Sequence, residues 1–167
     1  SRYGEGRGKE LRPPGELKAL ADKMLASGTM LEDAVKHYTA ALAALAAIEA
    51  KGVKPKFPPD PDVFPYDKRY TIHHNRAMAH LEMRNFELAV EDAEAVIAQK
   101  PNWVNGYLRK GGALFAMGKF EDARAAYQAG LDTAAKYNDD LKEGKQACAD
   151  LMMRVVSEGM DPRDGRP

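Results

Sequence analysis

At 167 residues the chain is long enough for one domain with a sizeable core, and its 25 Lys+Arg against 25 Asp+Glu leave no net field to draw it onto nucleic acid or an anionic membrane. A single cysteine, Cys148, excludes an internal disulfide framework and fits a reducing, cytoplasmic setting. No apolar run approaches the roughly 18 residues that mark a membrane span, and abundant Ala, Leu, Glu and Lys favour helix over sheet.

The opening stretch "SRYGEGRGKELR" is rich in Gly and Arg, and residues 1–13 are expected to form a flexible tail suited to a linker from another domain. A helix follows over about residues 15–26, with a turn at Ser27 and Gly28. A second, longer helix runs from Met30 to about Lys51, its apolar stripe formed by Leu31, Val35, Tyr38, Leu42, Leu45 and Ile48. Thr29 and Glu32 have the spacing of a capping box at its start. Residues 52–66, "GVKPKFPPDPDVFPY", hold five prolines, so they form a Pro-rich insertion that connects this unit to the next. Their PxxP spacings, flanked by lysines, also fit a polyproline ligand.

From Tyr70 the chain repeats itself with a period of 34 residues: Ala79 falls on Ala113, Met83 on Met117, Phe86 on Phe120, Glu87 on Glu121 and Ala89 on Ala123. The first unit is a third copy at an offset of about 55, with Ala21 on Ala77 and Ala34 on Ala89, the excess being the proline-rich insertion. A fixed period with two helices per unit is the mark of a helical solenoid. A last helix over residues 139–158, capped by Asn138 and striped with Leu141, Cys148, Leu151, Met152 and Val155, would cover the core face that the third unit leaves open. Residues 159–167 are expected to be a second flexible tail, which leaves residues 14–158 as the folded domain.

The stretches "HHNRAMAHLEMRNFELAVEDAEAVIAQKP" and "KPNWVNGYLRKGGALFAMGKFEDARAAYQAGL" resemble tetratricopeptide repeats, and "ELKALADKMLASGTMLEDAVKHYTAAL" resembles a first copy with one extra residue at its turn. The resemblance implies an all-α fold, a right-handed helical solenoid of three helix pairs plus a C-terminal capping helix. It extends to the three-repeat domains of chaperone adaptors and immunophilins. Those domains bind the acidic C-terminal tail of the 90-kDa or 70-kDa heat-shock chaperone, gripping its terminal carboxylates with Lys, Asn and Arg side chains. Carried over, the resemblance assigns Lys18, Asn75 and Arg109 to that clamp. It departs at Asp22, where the family has Asn, and at Asn105, where the family has Lys.

The departures have electrostatic weight. A like charge within about 4 Å costs on the order of 4 kcal/mol at an effective dielectric near 20, enough to turn a micromolar complex into a millimolar one. Asp22 also stands four residues after Lys18 on one helix, placed to pair with it. The same register puts His74, Met78, Glu82, Leu108, Gly112 and Phe115 on the groove. Each glycine inside a helix costs roughly 1 kcal/mol against alanine. Gly111 is assigned to close helix packing, and Gly112 to leaving room for a peptide backbone.

No other chemistry is indicated. His73, His74 and His80 share a helix without the three- or four-residue spacing of paired metal ligands, so neither metal nor cofactor is expected. There is no nucleophile elbow or phosphate loop, and no catalytic residue is assigned. The expected function is therefore a protein–protein interaction module, a co-chaperone adaptor with a heat-shock chaperone as partner. The alternatives are a scaffold for a different peptide or folded partner, and the regulatory domain of a larger enzyme such as a prolyl isomerase.

Overall fold

The structure, a computed structural model, describes residues 12–52 and 68–159. The proline-rich connection with its PxxP spacings, and nearly all of the two tails, lie outside those residues. Seven helices make up the described chain: α1 (Pro14–Ser27), α2 (Leu31–Ala50), α3 (Arg69–Glu82), α4 (Phe86–Gln99), α5 (Val104–Ala116), α6 (Phe120–Thr133) and α7 (Asp139–Glu158). No helix among them is long and apolar enough to cross a membrane.

Local chemistry sets the ends of these helices. Pro14 opens α1, where its missing N–H is no loss, and Gly28 closes it in the left-handed conformation at φ 67°, its N–H donating to the Leu25 carbonyl. In the next two units the equivalent turn places Arg84 at φ 61° and Gly118 at φ 75°, 34 residues apart. Asn138 caps α7 as expected, its side-chain oxygen accepting from the Leu141 N–H at 3.0 Å. The capping box expected at Thr29 and Glu32 is not formed. The residue preceding α2 is Met30, which has no side-chain cap, and the Thr29 hydroxyl instead pairs with Ser27 Oγ at 3.2 Å. Thr29 stands one residue too early to serve the helix that begins at Leu31.

Helices adjacent in sequence pack in pairs, and α1 touches α3, α3 touches α5 and α5 touches α7. This is a right-handed solenoid in which α1, α3 and α5 share the inner face. Alanines sit where helices meet closely: Ala21, Ala34, Ala77, Ala79, Ala89, Ala113 and Ala123 are all fully buried. Two cores result. Tyr38, Leu45 and Ile72 centre the first, and Tyr107, Leu114, Phe120, Tyr127, Leu131, Leu141 and Cys148 the second, which α7 closes.

Between α3 and α4 lies a buried ion cluster. Asp92, 3% exposed, accepts from Arg76 Nε at 2.8 Å and Arg76 Nη2 at 2.7 Å, and pairs with His73 Nδ1 at 2.9 Å. Burial pushes its carboxyl upward, but the hydrogen bonds and charge of His73 and Arg76 outweigh that and hold it below the usual carboxylate value. Arg76 also donates to Thr39 Oγ1 at 2.9 Å, tying α2 to the pair.

Candidate functional site

The inner face carries one continuous row of hydrogen-bonded side chains drawn from α1, α2, α3 and α5. Asp22 on α1 is its hub. Lys18, one turn back, donates to Asp22 Oδ2 at 2.6 Å, while Tyr38 of α2 and Asn75 of α3 donate to Oδ1 at 2.7 and 2.9 Å. Burial favours the protonated acid. The bonds from Lys18, Tyr38 and Asn75 more than offset it, so the Asp22 carboxyl stays below its usual value and is ionised at neutral pH. Burial and the adjacent carboxylate push the Tyr38 hydroxyl far up, so it remains a donor.

The row continues through His74. Its Nδ1 lies 3.1 Å from Asn75 Oδ1, and its Nε2 lies 3.2 Å from Arg109 Nε. An arginine Nε can only donate, so His74 Nε2 must be the bare nitrogen and Nδ1 must carry the proton. The proton on Nδ1 then fixes the Asn75 amide, with oxygen toward His74 and NH2 toward Asp22. Burial first, and then the Arg109 charge, lower the basicity of His74, which keeps the imidazole neutral. The ring of Trp103, the residue before α5, packs on His74 at 4.9 Å and on Tyr70 at 5.1 Å between centroids, walling that end of the row.

Arg109 ends the row as a partly buried cation. Nε is committed to His74, and among the described residues no carboxylate lies within ion-pair distance of its guanidinium. Since Lys18 is neutralised by Asp22 and His74 is neutral, the row carries one net positive charge, at Arg109.

The expected site residues thus divide. Lys18, Asp22, His74, Asn75 and Arg109 are brought together. His74 was placed by sequence register on a groove wall, but it is only 9% exposed and uses both ring nitrogens on its neighbours, so it supports Arg109 and leaves no nitrogen for a ligand. Asn105, one turn before Arg109, is partly buried and makes no side-chain hydrogen bond among the described residues. Phe115 packs edge-on against Phe120 at 5.1 Å and, like Leu108, leans on the C-terminal core. Met78 is partly buried and Glu82 exposed. A Cβ at Gly112 would meet nothing nearer than the Tyr127 hydroxyl at 4.0 Å, whereas one at Gly111 would fall 2.4 Å from the Tyr127 ring. Tyr38, which the sequence marks only as part of the apolar stripe of α2, and Trp103, which it does not single out, complete the row. The signal available for Tyr38 was its place 16 residues after Asp22, across one helix pair.

A family model of the tetratricopeptide repeat matches residues 70–102 and 104–137, the α3–α4 and α5–α6 pairs. "Protein STIP1 homolog" of Dictyostelium discoideum is 36% identical over 81 residues, 47% of this chain and 14% of its own length. Of eight such curated relatives the chain spans between 13% and 34%. Among solved structures, the Sgt2 TPR domain from Aspergillus fumigatus is similar at a TM-score of 0.65 and 23% identity, covering 93% of this chain and 91% of that one. The first TPR domain of Spaghetti (RPAP3), bound to the HSP90 peptide SRMEEVD, is similar at 0.64 and 21% identity, covering 89% and 99%.

Proposed function

We propose that this solenoid, which matches the tetratricopeptide repeat over residues 70–102 and 104–137, binds on its inner face a short extended segment of a partner protein, the acidic C-terminal tail of a 90-kDa or 70-kDa heat-shock chaperone. In this reading the domain is a cytoplasmic co-chaperone module and performs no chemistry of its own.

The observation that carries the reading is Arg109. A partly buried guanidinium on the inner face is desolvated without a carboxylate among the described residues to compensate it, and burial is what lowers its pKa. Its terminal N–H groups form a fork suited to a ligand carboxylate, while Nε stays with His74 and holds the plane in place. The open space over Gly112, three residues further along α5, leaves room for a peptide backbone beside that fork. The similarity to a domain bound to an HSP90 peptide supports the same ligand class.

Calorimetric titration with the peptide SRMEEVD tests this. The expected outcome is micromolar binding that weakens at least tenfold in Arg109→Ala, with helical content unchanged. Equal affinity in both proteins would remove Arg109 from the site and the reading with it.

A further inference from the structure

Asp22 already occupies what would otherwise be an anion site. Three donors on three helices converge on its carboxylate within 2.6–2.9 Å: the Lys18 ammonium, the Tyr38 hydroxyl and the Asn75 amide. Together they supply three of the roughly four hydrogen bonds a carboxylate accepts, all from within the chain. Nor can Asn75 readily turn its NH2 outward. Its oxygen is held by His74, whose tautomer is in turn dictated by Arg109. A second anion brought beside Asp22 meets a like charge toward which the Tyr38 proton and one N–H each of Lys18 and Asn75 already point.

We propose that Asp22 is the specificity-determining residue of the inner face: its carboxylate stands in for an incoming anion, so the face takes an extended peptide that offers one side-chain carboxylate to Arg109 and requires no free C-terminus. This rests on the peptide-binding reading above, and it widens the partner from a protein tail to any exposed acidic segment able to lie along α1, α3 and α5.

The test compares SRMEEVD with a free C-terminus and the same peptide amidated, against the unaltered protein, Asp22→Asn and Asp22→Ser. Asn at position 22 keeps an oxygen for Tyr38 and Asn75 while removing the charge. Ser removes the charge without the shape, and circular dichroism checks that both variants keep their helices. The expected result is that the unaltered protein binds the two peptides within about threefold of one another, and that both variants prefer the free acid by tenfold or more. A tenfold loss on amidation in the unaltered protein would overturn the inference, because the terminal carboxylate would then be gripped despite Asp22. So would folded variants that gain nothing for the free acid. If the unaltered protein binds neither peptide and the variants bind the free acid, Asp22 excludes the peptide altogether, and both the acidic segment inferred here and the ligand assigned in the preceding section fall. If no protein binds either peptide, both fall.

Discussion

Adjacent glycines on α5 should respond to alanine with opposite signs. Alanine in place of glycine inside a helix stabilises by about 1 kcal/mol through backbone entropy alone. At Gly112 nothing opposes that gain, since the nearest heavy atom to a new Cβ is the Tyr127 hydroxyl at 4.0 Å. At Gly111 the new Cβ would lie 2.4, 2.5 and 2.8 Å from three atoms of the Tyr127 ring. The ring cannot withdraw, because a Cβ at Gly144 of α7 would meet it at 2.6 Å, so Tyr127 is a wedge held between two bare backbones. Overpacking of this kind costs about 1–3 kcal/mol, and a ring closed in on both sides belongs at the upper end. The net expectation is a loss of about 2 kcal/mol for Gly111→Ala and a gain of up to about 1 kcal/mol for Gly112→Ala. At roughly 2–4 °C per kcal/mol for a chain of this size, the melting temperatures should separate by about 6–12 °C. Thermal unfolding followed by circular dichroism reads this directly. In a Tyr127→Ala background the Gly111→Ala penalty should vanish, a coupling that a double-mutant cycle isolates. Equal shifts at the two glycines, or a Gly111→Ala penalty that survives the loss of the ring, would refute the wedge.

Two further outcomes follow from the buried charges. Asp92→Ala leaves Arg76 without its bidentate partner between α3 and α4, and one-sided loss of a buried pair costs about 3–5 kcal/mol. Arg76 keeps its bond to Thr39 and one-fifth of its side-chain exposure, so about 3 kcal/mol is expected in urea titration, and a loss below about 1 kcal/mol would contradict the cluster's structural weight. Stability should also decline on acidification in two stages. His74 and His80 lie below their ordinary 6.5 in the folded chain, mainly through burial, so the unfolded chain takes up protons that the folded chain refuses once the pH drops beneath about 6.5. The contribution is full above that pH and is lost on the way down to the folded values. Asp22 and Asp92, held below 3.8, keep theirs until the pH falls through about 3.8. A urea midpoint that stays flat between pH 7.5 and 5 would mean that the two histidines titrate as they do in the unfolded chain.

The architecture was legible because a solenoid writes its packing into a fixed offset. Phe86 and Phe120 begin α4 and α6, and the alanines at 79 and 113 and at 89 and 123 are buried in pairs. Even the exception obeys the register. Ala77 and Ala93 occupy in the second unit the places that Gly111 and Tyr127 occupy in the third, so the ring that replaces a methyl on α6 is matched by the methyl removed from α5. The packing role expected of Gly111 follows from that exchange of volume. What the register does not determine is the residue that closes a turn. Thr29 and Glu32 carried the right letters for a capping box, yet the first unit's extra residue moved the start of α2 to Leu31 and left the threonine to Ser27.

The site was legible only along single helices. Lys18 and Asp22 are four residues apart, and their pairing needs no knowledge of the fold. The donors that complete Asp22 come from 16 and 53 residues away, and their convergence depends on how far α2 and α3 rotate about α1, a quantity no spacing encodes. Had Asp22 faced solvent, the Tyr38 hydroxyl and the Asn75 amide would have had no carboxylate between them, and the aspartate would have been a surface detail. Because it faces inward, this one of the two changed residues neutralises a lysine and accepts from the Asn75 amide that Arg109, through His74, has already oriented. The inner face therefore cannot be described as a clamp with two residues exchanged. Asp22 has turned the Lys18–Asn75 half into structure and left Arg109 as the charge on the row that no carboxylate among the described residues compensates.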